Sequence, residues 1–248
     1  MILLVRDDRE FLCEPGTELH TDLGVVDVPT DPEPGQIVES HLGEAFVVRA
    51  LRGPDLFHHL ERTGAPMVPK DVGVIVGHTG VAAGDAVLDA GTGTGVLAAY
   101  LGRLGASVTT YERDPDFAAT ARQNMATAGV TDRVEVRAAD VTAELDTLAA
   151  GAYDVVTLDT EDAPTVVAAA PDLLVPGGFV AVYSPFVEHA REAADAATDA
   201  GLAAVETVET IQRRMDFDDR GSRPSTAGVG HTGYLTFARY TPRPADAA

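Results

Sequence analysis

A-V-L-D-A-G-T-G-T-G, residues 86–95, sets the fold. An apolar run closes on a carboxylate, Asp89, and glycines then alternate with threonines at 91, 93 and 95. Glycine lets a chain leaving a strand turn tightly and approach a ligand where a Cβ would collide. Downstream the pattern repeats. Strand-like runs at 107–112 (S-V-T-T-Y-E), 134–138 (V-E-V-R-A), 153–159 (Y-D-V-V-T-L-D) and 178–183 (G-F-V-A-V-Y) alternate with helical stretches at 96–104, 116–128 and 165–174. Short connections between alternating strands and helices predict an α/β protein with a doubly wound, Rossmann-like parallel sheet. Ligands in such sheets sit beyond the carboxyl ends of the strands, which places Asp89, Glu112, Asp140 and Asp159 along one rim.

Upstream, residues 2–5, 24–28, 36–38 and 45–50 form β-branched or apolar runs broken by E-P-G, D-P-E-P-G and H-L-G-E. This is the pattern of a small antiparallel barrel or sandwich. Helices are expected over 56–62 and 71–76. We divide the chain into a β-rich domain, 1–62, and a catalytic domain, 63–248, with a frayed tail at 241–248.

At 248 residues with 45% hydrophobic content the chain can bury a full core. No apolar run reaches the ~18 residues of a membrane helix, and Met1–Arg6 lacks the features of a signal peptide. The expectation is a cytoplasmic protein without membrane contact. One cysteine, Cys13, excludes an intramolecular disulfide and a thiolate-rich metal cluster. Asp and Glu total 39 against 18 Lys and Arg, a net charge of −21, and Lys70 is the single lysine. That balance suits molar salt, where the Debye length falls to ~3 Å and self-repulsion is screened; a GC-rich genome also yields it. Net acidity ordinarily argues against a nucleic-acid partner. In high salt the argument weakens, because binding there rests on stacking and specific contacts.

The loop spacing, G-x-G-x-G, differs from the G-x-G-x-x-G of dinucleotide sites. Glu112 ends the next strand, where a carboxylate can accept both hydroxyls of a ribose. P-G-G at 176–178 precedes a late strand, a habit of class I methyltransferases. Together these favour S-adenosylmethionine as cofactor. The expected cofactor-binding residues are Gly91, Thr92, Gly93, Gly95, Glu112, Arg113, Asp140 and Asp159. Asp140 is placed for the adenine amino group; each acid could instead cap a helix.

Three segments carry a closer resemblance: P-K-D-V-G-V-I (69–75), Y-E-R-D-P-D-F-A-A-T-A-R-Q-N (111–124) and R-P-S-T-A-G-V-G-H-T-G-Y-L-T-F-A-R (223–239). Together the chain resembles the TrmI-type tRNA (adenine-N1)-methyltransferases over nearly its whole length. The resemblance implies methyl transfer from S-adenosylmethionine to N1 of the T-loop adenine at tRNA position 58, with position 57 as a second site in some archaeal relatives. It also implies a homotetramer; the acid-rich, nearly lysine-free composition adds the expectation of a halophilic archaeal source. Asp159 falls on the family's catalytic aspartate. The family usually continues L-D-x-x-x-P-W; here Ala163 and Pro164 stand there, and the chain has no tryptophan.

Adenine N1 becomes cationic on methylation, so a carboxylate accepting from the exocyclic amino group would fix the base and stabilise the charge. No metal is expected, since the sulfonium carries the leaving group. N1 lies on the pairing edge, so the base must be extruded. Tyr183, in Y-S-P-F, is expected at the rim as a catalytic-site residue on which the extruded base stacks, or as a half-buried strand-end tyrosine. For tRNA contact the candidates are Arg213, Arg214 and Arg223, with Arg220 in the same basic cluster, and His231. The arginines could equally pair with nearby acids, and His231 could be structural. Two other readings stand: a methyltransferase acting on a small molecule or a protein carboxylate, and a non-catalytic tRNA-binding subunit.

Overall fold

The computed structural model describes residues 1–228 and 230–242; residues 243–248 of the expected tail lie outside it. The N-terminal strands are β1 (Ile2–Arg6), β2 (Arg9–Cys13), β3 (Glu18–Thr21), β4 (Gly24–Asp27), β5 (Ile37–Glu39) and β6 (Ala45–Ala50). They form an antiparallel sheet of order β2-β1-β6-β5 and a separate hairpin, β3–β4. Leu4, Cys13, Val26, Val38, Phe46 and Val48 make their own core between them. Helix α1 (Gly53–His59) starts three residues earlier than the sequence suggests, because Pro54 fits the first turn and the Asp55 carboxylate caps Arg52 N–H at 2.7 Å. Its Leu56, with Leu60 just beyond, packs into the core of the larger sheet, as does Leu3 of β1.

The rest runs α2 (Pro69–Thr79), β7 (Ala86–Ala90), α3 (Val96–Leu104), β8 (Ser107–Glu112), α4 (Pro115–Ala128), β9 (Val134–Ala138), α5 (Val141–Glu144), β10 (Tyr153–Leu158), α6 (Ala163–Leu173), β11 (Leu174–Ser184), α7 (Val187–Asp199), β12 (Ala203–Glu209), β13 (Met215–Asp218), β14 (Gly221–Pro224) and β15 (Tyr234–Arg239). The seven-stranded sheet has order β12-β15-β11-β10-β7-β8-β9. All its pairs are parallel except those of β15, which runs antiparallel to β11 and β12. The doubly wound parallel sheet expected from the sequence is thus present, and β15 adds an antiparallel strand that the sequence reading did not place.

Successive strand residues face opposite layers. Val87, Val155 and Ala181 pack against α2, α3 and α4. Leu88, Val156, Val180 and Val182 pack against α6 and α7. Both faces are covered, which is why the parallel strands read as nearly continuous apolar runs. P-G-G lies inside β11 rather than before it: Tyr153 pairs with Leu174, the register then shifts, and Gly177 at φ +93° absorbs the irregularity. Strand order reverses between β7 and β10, and the crevice above that pair is where this topology binds ligands.

Candidate active site

Three strand ends are stitched together at the crevice. The Asp159 N–H donates to Ala90 O at 2.9 Å, and Gly91 N–H donates to Tyr111 O at 3.0 Å. Gly91 sits at φ +86°, and a Cβ there would stand 2.0 Å from the Asp159 carbonyl oxygen. The glycine is therefore required by the close approach of two segments of the backbone, in addition to any ligand. Gly95, at φ +82°, caps α3 and abuts the Met125 side chain. A Cβ on Gly93 would meet nothing nearer than the Thr63 hydroxyl, 3.9 Å away.

The Glu112 carboxylate is gripped at both oxygens: Gly93 N–H donates to Oε2 at 2.9 Å and Asp114 N–H to Oε1 at 3.1 Å. Asp140 lies two residues past β9 and caps α5, its Oδ1 accepting from the Thr142 N–H and hydroxyl. Those bonds hold its carboxyl below the ordinary range. Capping and a place on the cavity wall coexist, since the bonds to Thr142 all go through Oδ1. Arg113 reaches across to Asp162, 3.6 Å away, at the start of α6.

Gly91, Gly93, Glu112, Arg113, Asp140 and Asp159 line one cavity of about 450 Å³, together with Phe117. Its size and composition fit an adenosyl cofactor: an apolar floor, paired acceptors at Glu112 and Asp140, and a glycine wall. Thr92 and Gly95 do not line this cavity; they border a small adjoining recess. Thr92 turns into the sheet, its hydroxyl 2.5 Å from that of Thr110.

Beneath the glycine loop Asp89 is buried, its carboxylate accepting from Thr110 at 2.6 Å and Thr157 at 2.5 Å. Burial raises its pKa. Asp159 opens onto the crevice but is crowded by protein on its other sides. That desolvation, then repulsion from Asp89, pushes its carboxyl up to about 7.

Asp159 also lines a second cavity of about 210 Å³ with Tyr183, Phe186 and His189. Two candidates from the sequence, Asp159 and Tyr183, thus meet at one wall. Tyr183 is half-buried: its hydroxyl donates to Thr232 O at 2.6 Å, and a Cβ on Gly233 would stand 2.5 Å from its ring. Burial, followed by Asp159 and Asp71, raises the phenol to about 12. Behind it, Lys70 Nζ donates to Asp71 Oδ1 at 2.6 Å and to Thr232 Oγ1 at 2.7 Å, and the Thr232 hydroxyl donates to Asp71 Oδ2 at 2.8 Å. The single lysine therefore ties two of the resemblance segments, P-K-D and G-H-T-G-Y, to the wall of the site.

His231 is exposed, with Nδ1 2.8 Å from Glu209 and Nε2 2.9 Å from Pro185 O. Its pKa is raised, first by Glu209. Arg213, Arg214 and Arg223 line neither cavity. They sit on or beside the exposed ribbon β13–β14, where Arg213 donates to Ser225 O and Arg220 pairs with Asp218. Sequence reasoning gave no role to Asp71, Thr110, Thr157, Thr232, Phe186 or His189. The shared P-K-D and G-H-T-G-Y segments were the available signal for the first and fourth.

Sheet order and site together define a class I, S-adenosylmethionine-dependent methyltransferase. Residues 87–178 match the family model described as a methyltransferase domain. A Thermotoga maritima S-adenosylmethionine-dependent O-methyltransferase superposes with TM-score 0.81 at 28% identity, covering 98% of this chain and 93% of the other. The tRNA (adenine(57)-N(1)/adenine(58)-N(1))-methyltransferase TrmI of Methanocaldococcus jannaschii is 32% identical over 97% of this chain and 94% of its own length. The tRNA (adenine(58)-N(1))-methyltransferase TrmI of Thermus thermophilus is 29% identical over 96% of both. This chain belongs to the TrmI family of tRNA (adenine-N1)-methyltransferases.

Proposed function

We propose that this protein transfers the methyl group of S-adenosylmethionine to N1 of adenine 58 in the tRNA T-loop, with adenine 57 as a second target. The observation that carries the reading is the position of Asp159, the shared wall between a cofactor-sized cavity and a second, aromatic-lined one. When bound, the cofactor supplies an electrophilic methyl on a positively charged sulfur. Gly91, Gly93 and Glu112 shape its seat, and Glu112 and Asp140 offer acceptors to the ribose and adenine. Asp159 accepts from the exocyclic amino group of the target base and faces the charge that develops on the ring. At ~4 Å and an effective dielectric near 20, that attraction amounts to about 4 kcal/mol, up to ~10³-fold in rate if confined to the transition state. A sulfonium held in the first cavity, which Asp159 lines, would favour the ionised form of that carboxyl.

The tRNA backbone is assigned to the arginines flanking β13–β14, and His231 to the substrate side near Pro185. The same ribbon exposes apolar groups, Phe217 at 77% among them, which suits contact with a second copy in a homotetramer. A cytoplasmic working environment at molar salt accords with the −21 net charge and the near-absence of lysine. Among the described residues no helix is long and apolar enough to cross a membrane.

The test is incubation with S-adenosylmethionine and unmodified tRNA at high salt, comparing wild type with Asp159→Ala. We expect N1-methyladenosine at position 58 from wild type and at least 10²-fold less from the variant. Equal product from both would sink the mechanism.

A further inference from the structure

The second cavity contains an aromatic ring that the reaction as described leaves unused. Phe186 lines it and is 59% exposed, although burial is the usual state of a phenylalanine. The residue is held firmly all the same. Its N–H donates to Ser184 Oγ at 3.2 Å, and that hydroxyl donates back to Phe186 O at 3.0 Å. Pro185 precedes it, and it occupies the N-cap of α7 in extended conformation. The His189 ring meets it edge-to-face, centroids 5.6 Å apart at 82°. Backbone latch, proline and perpendicular ring present a fixed aromatic surface at the end of β11, next to the cavity that Asp159 enters.

Tyr183 is less suited to stacking. Gly233 lies against its ring and Thr232 takes its hydroxyl, so it serves as a wall. The other strongly exposed phenylalanine, Phe217 on β14's partner strand β13, lines neither cavity. Exposure alone therefore does not single out Phe186; exposure within the Asp159 cavity does.

We propose that Phe186 is the stacking platform for the extruded purine, a role that rests on the proposed tRNA reaction. Every base has a π-face, and an aromatic ring fixed beside a carboxylate holds an unpaired base by its face while the carboxylate takes its amino edge.

The experiment compares wild type with Phe186→Ala, Phe186→Leu and Phe186→Tyr on two readouts. The first is kcat and KM for tRNA methylation, with cofactor affinity and assembly mass measured alongside. The second is the fluorescence of a T-loop RNA hairpin carrying 2-aminopurine at the target position, which reports stacking without any methyl transfer. Loss of one base–aromatic stack lowers kcat/KM by roughly 5- to 100-fold. We expect that loss in Phe186→Ala and in Phe186→Leu, recovery to within a few-fold in Phe186→Tyr, and unchanged cofactor affinity and assembly mass. Saturable quenching by wild type should vanish in the first two variants. Quenching without methylation in wild type would refute the assigned reaction and leave the platform standing. Wild-type rates in Phe186→Leu, or a changed assembly mass in Phe186→Ala, would overturn the platform, the latter marking Phe186 as a contact between copies.

Discussion

Replacing Gly91 by alanine is the sharpest perturbation the site offers, and Gly93 is its internal control. Both glycines belong to the G-T-G-T-G loop and both have positive φ, +86° and +50°. The left-handed region costs a non-glycine residue roughly 1–2 kcal/mol, and that term is common to the two substitutions. They part on space. A Cβ at position 93 meets nothing nearer than 3.9 Å, whereas at position 91 it stands 2.0 Å from Asp159 O and 2.6 Å from Asp159 C. Contacts under 3.0 Å are essentially never seen for a Cβ, so the two backbones must separate by about 1 Å. That movement strains the Asp159 N–H bond to Ala90 O, a further loss of about 1 kcal/mol, and it shifts the carboxylate itself. A misplacement near 1 Å costs on the order of 10²-fold in rate. Initial rates of tRNA methylation at saturating cofactor, with melting temperatures and cofactor affinities, separate these effects. We expect Gly91→Ala to lose about 10²-fold in kcat and roughly 2–3 kcal/mol of stability. Gly93 lines the cofactor cavity, so Gly93→Ala should lose the shared strain and some cofactor affinity but keep kcat at saturating cofactor. Equal kcat losses in the two variants would refute the argument that Gly91 is a contact between the loop and the catalytic strand.

The remaining predictions concern charge. Lys70→Met leaves Asp71, 1% exposed, without its cation; breaking such a buried pair costs about 3–5 kcal/mol, read as a lowered denaturation midpoint. The double variant Lys70→Met/Asp71→Asn should recover part of that, and a single-variant cost below about 0.5 kcal/mol would contradict the network. For Asp159 the folded pKa, about 7, lies above its unfolded value, so the stability tied to the protonated carboxyl is complete below pH ~4 and lost as pH rises through about 7. Asp159→Asn should therefore raise the melting temperature of the cofactor-free protein more at pH 8 than at pH 4.5; an equal shift at both would show that Asp159 is not desolvated. Arg213→Ala/Arg214→Ala should weaken tRNA binding and reduce the slope of log K against log salt by about 2, while cofactor affinity holds. Unchanged tRNA affinity would remove the arginines from the interface.

The central strands and helices were legible because burial on both faces of a parallel sheet writes unbroken apolar runs into 86–90 and 153–158, and because helix ends carry local signatures. Asp114–Pro115 before α4 is one such start, and Gly80, Gly105 and Gly129 in left-handed conformation are such stops. The C-terminal edge was not legible. β12 is mostly exposed, with no buried position and two glutamates among its seven residues, and the face that α7 buries is made of small alanines, Ala190, Ala193 and Ala197. β15, the last strand among the described residues, enters the sheet between β11 and β12, a placement that depends on long-range pairing.

The sequence by itself determined the parallel strands of the sheet and the glycine loop that follows the first of them, because each rests on a local rule of strand burial or backbone freedom. Tertiary structure alone decided what surrounds Asp159. Its raised pKa comes first from crowding by segments far apart in the chain and then from Asp89, one strand over. Tyr183 became a wall because Thr232 and Gly233, 49 and 50 positions later, close against it, and Lys70 and Asp71 secure them from the other end of the domain. Such contacts are set by which strand lies beside which, and no spacing along the chain encodes that distance.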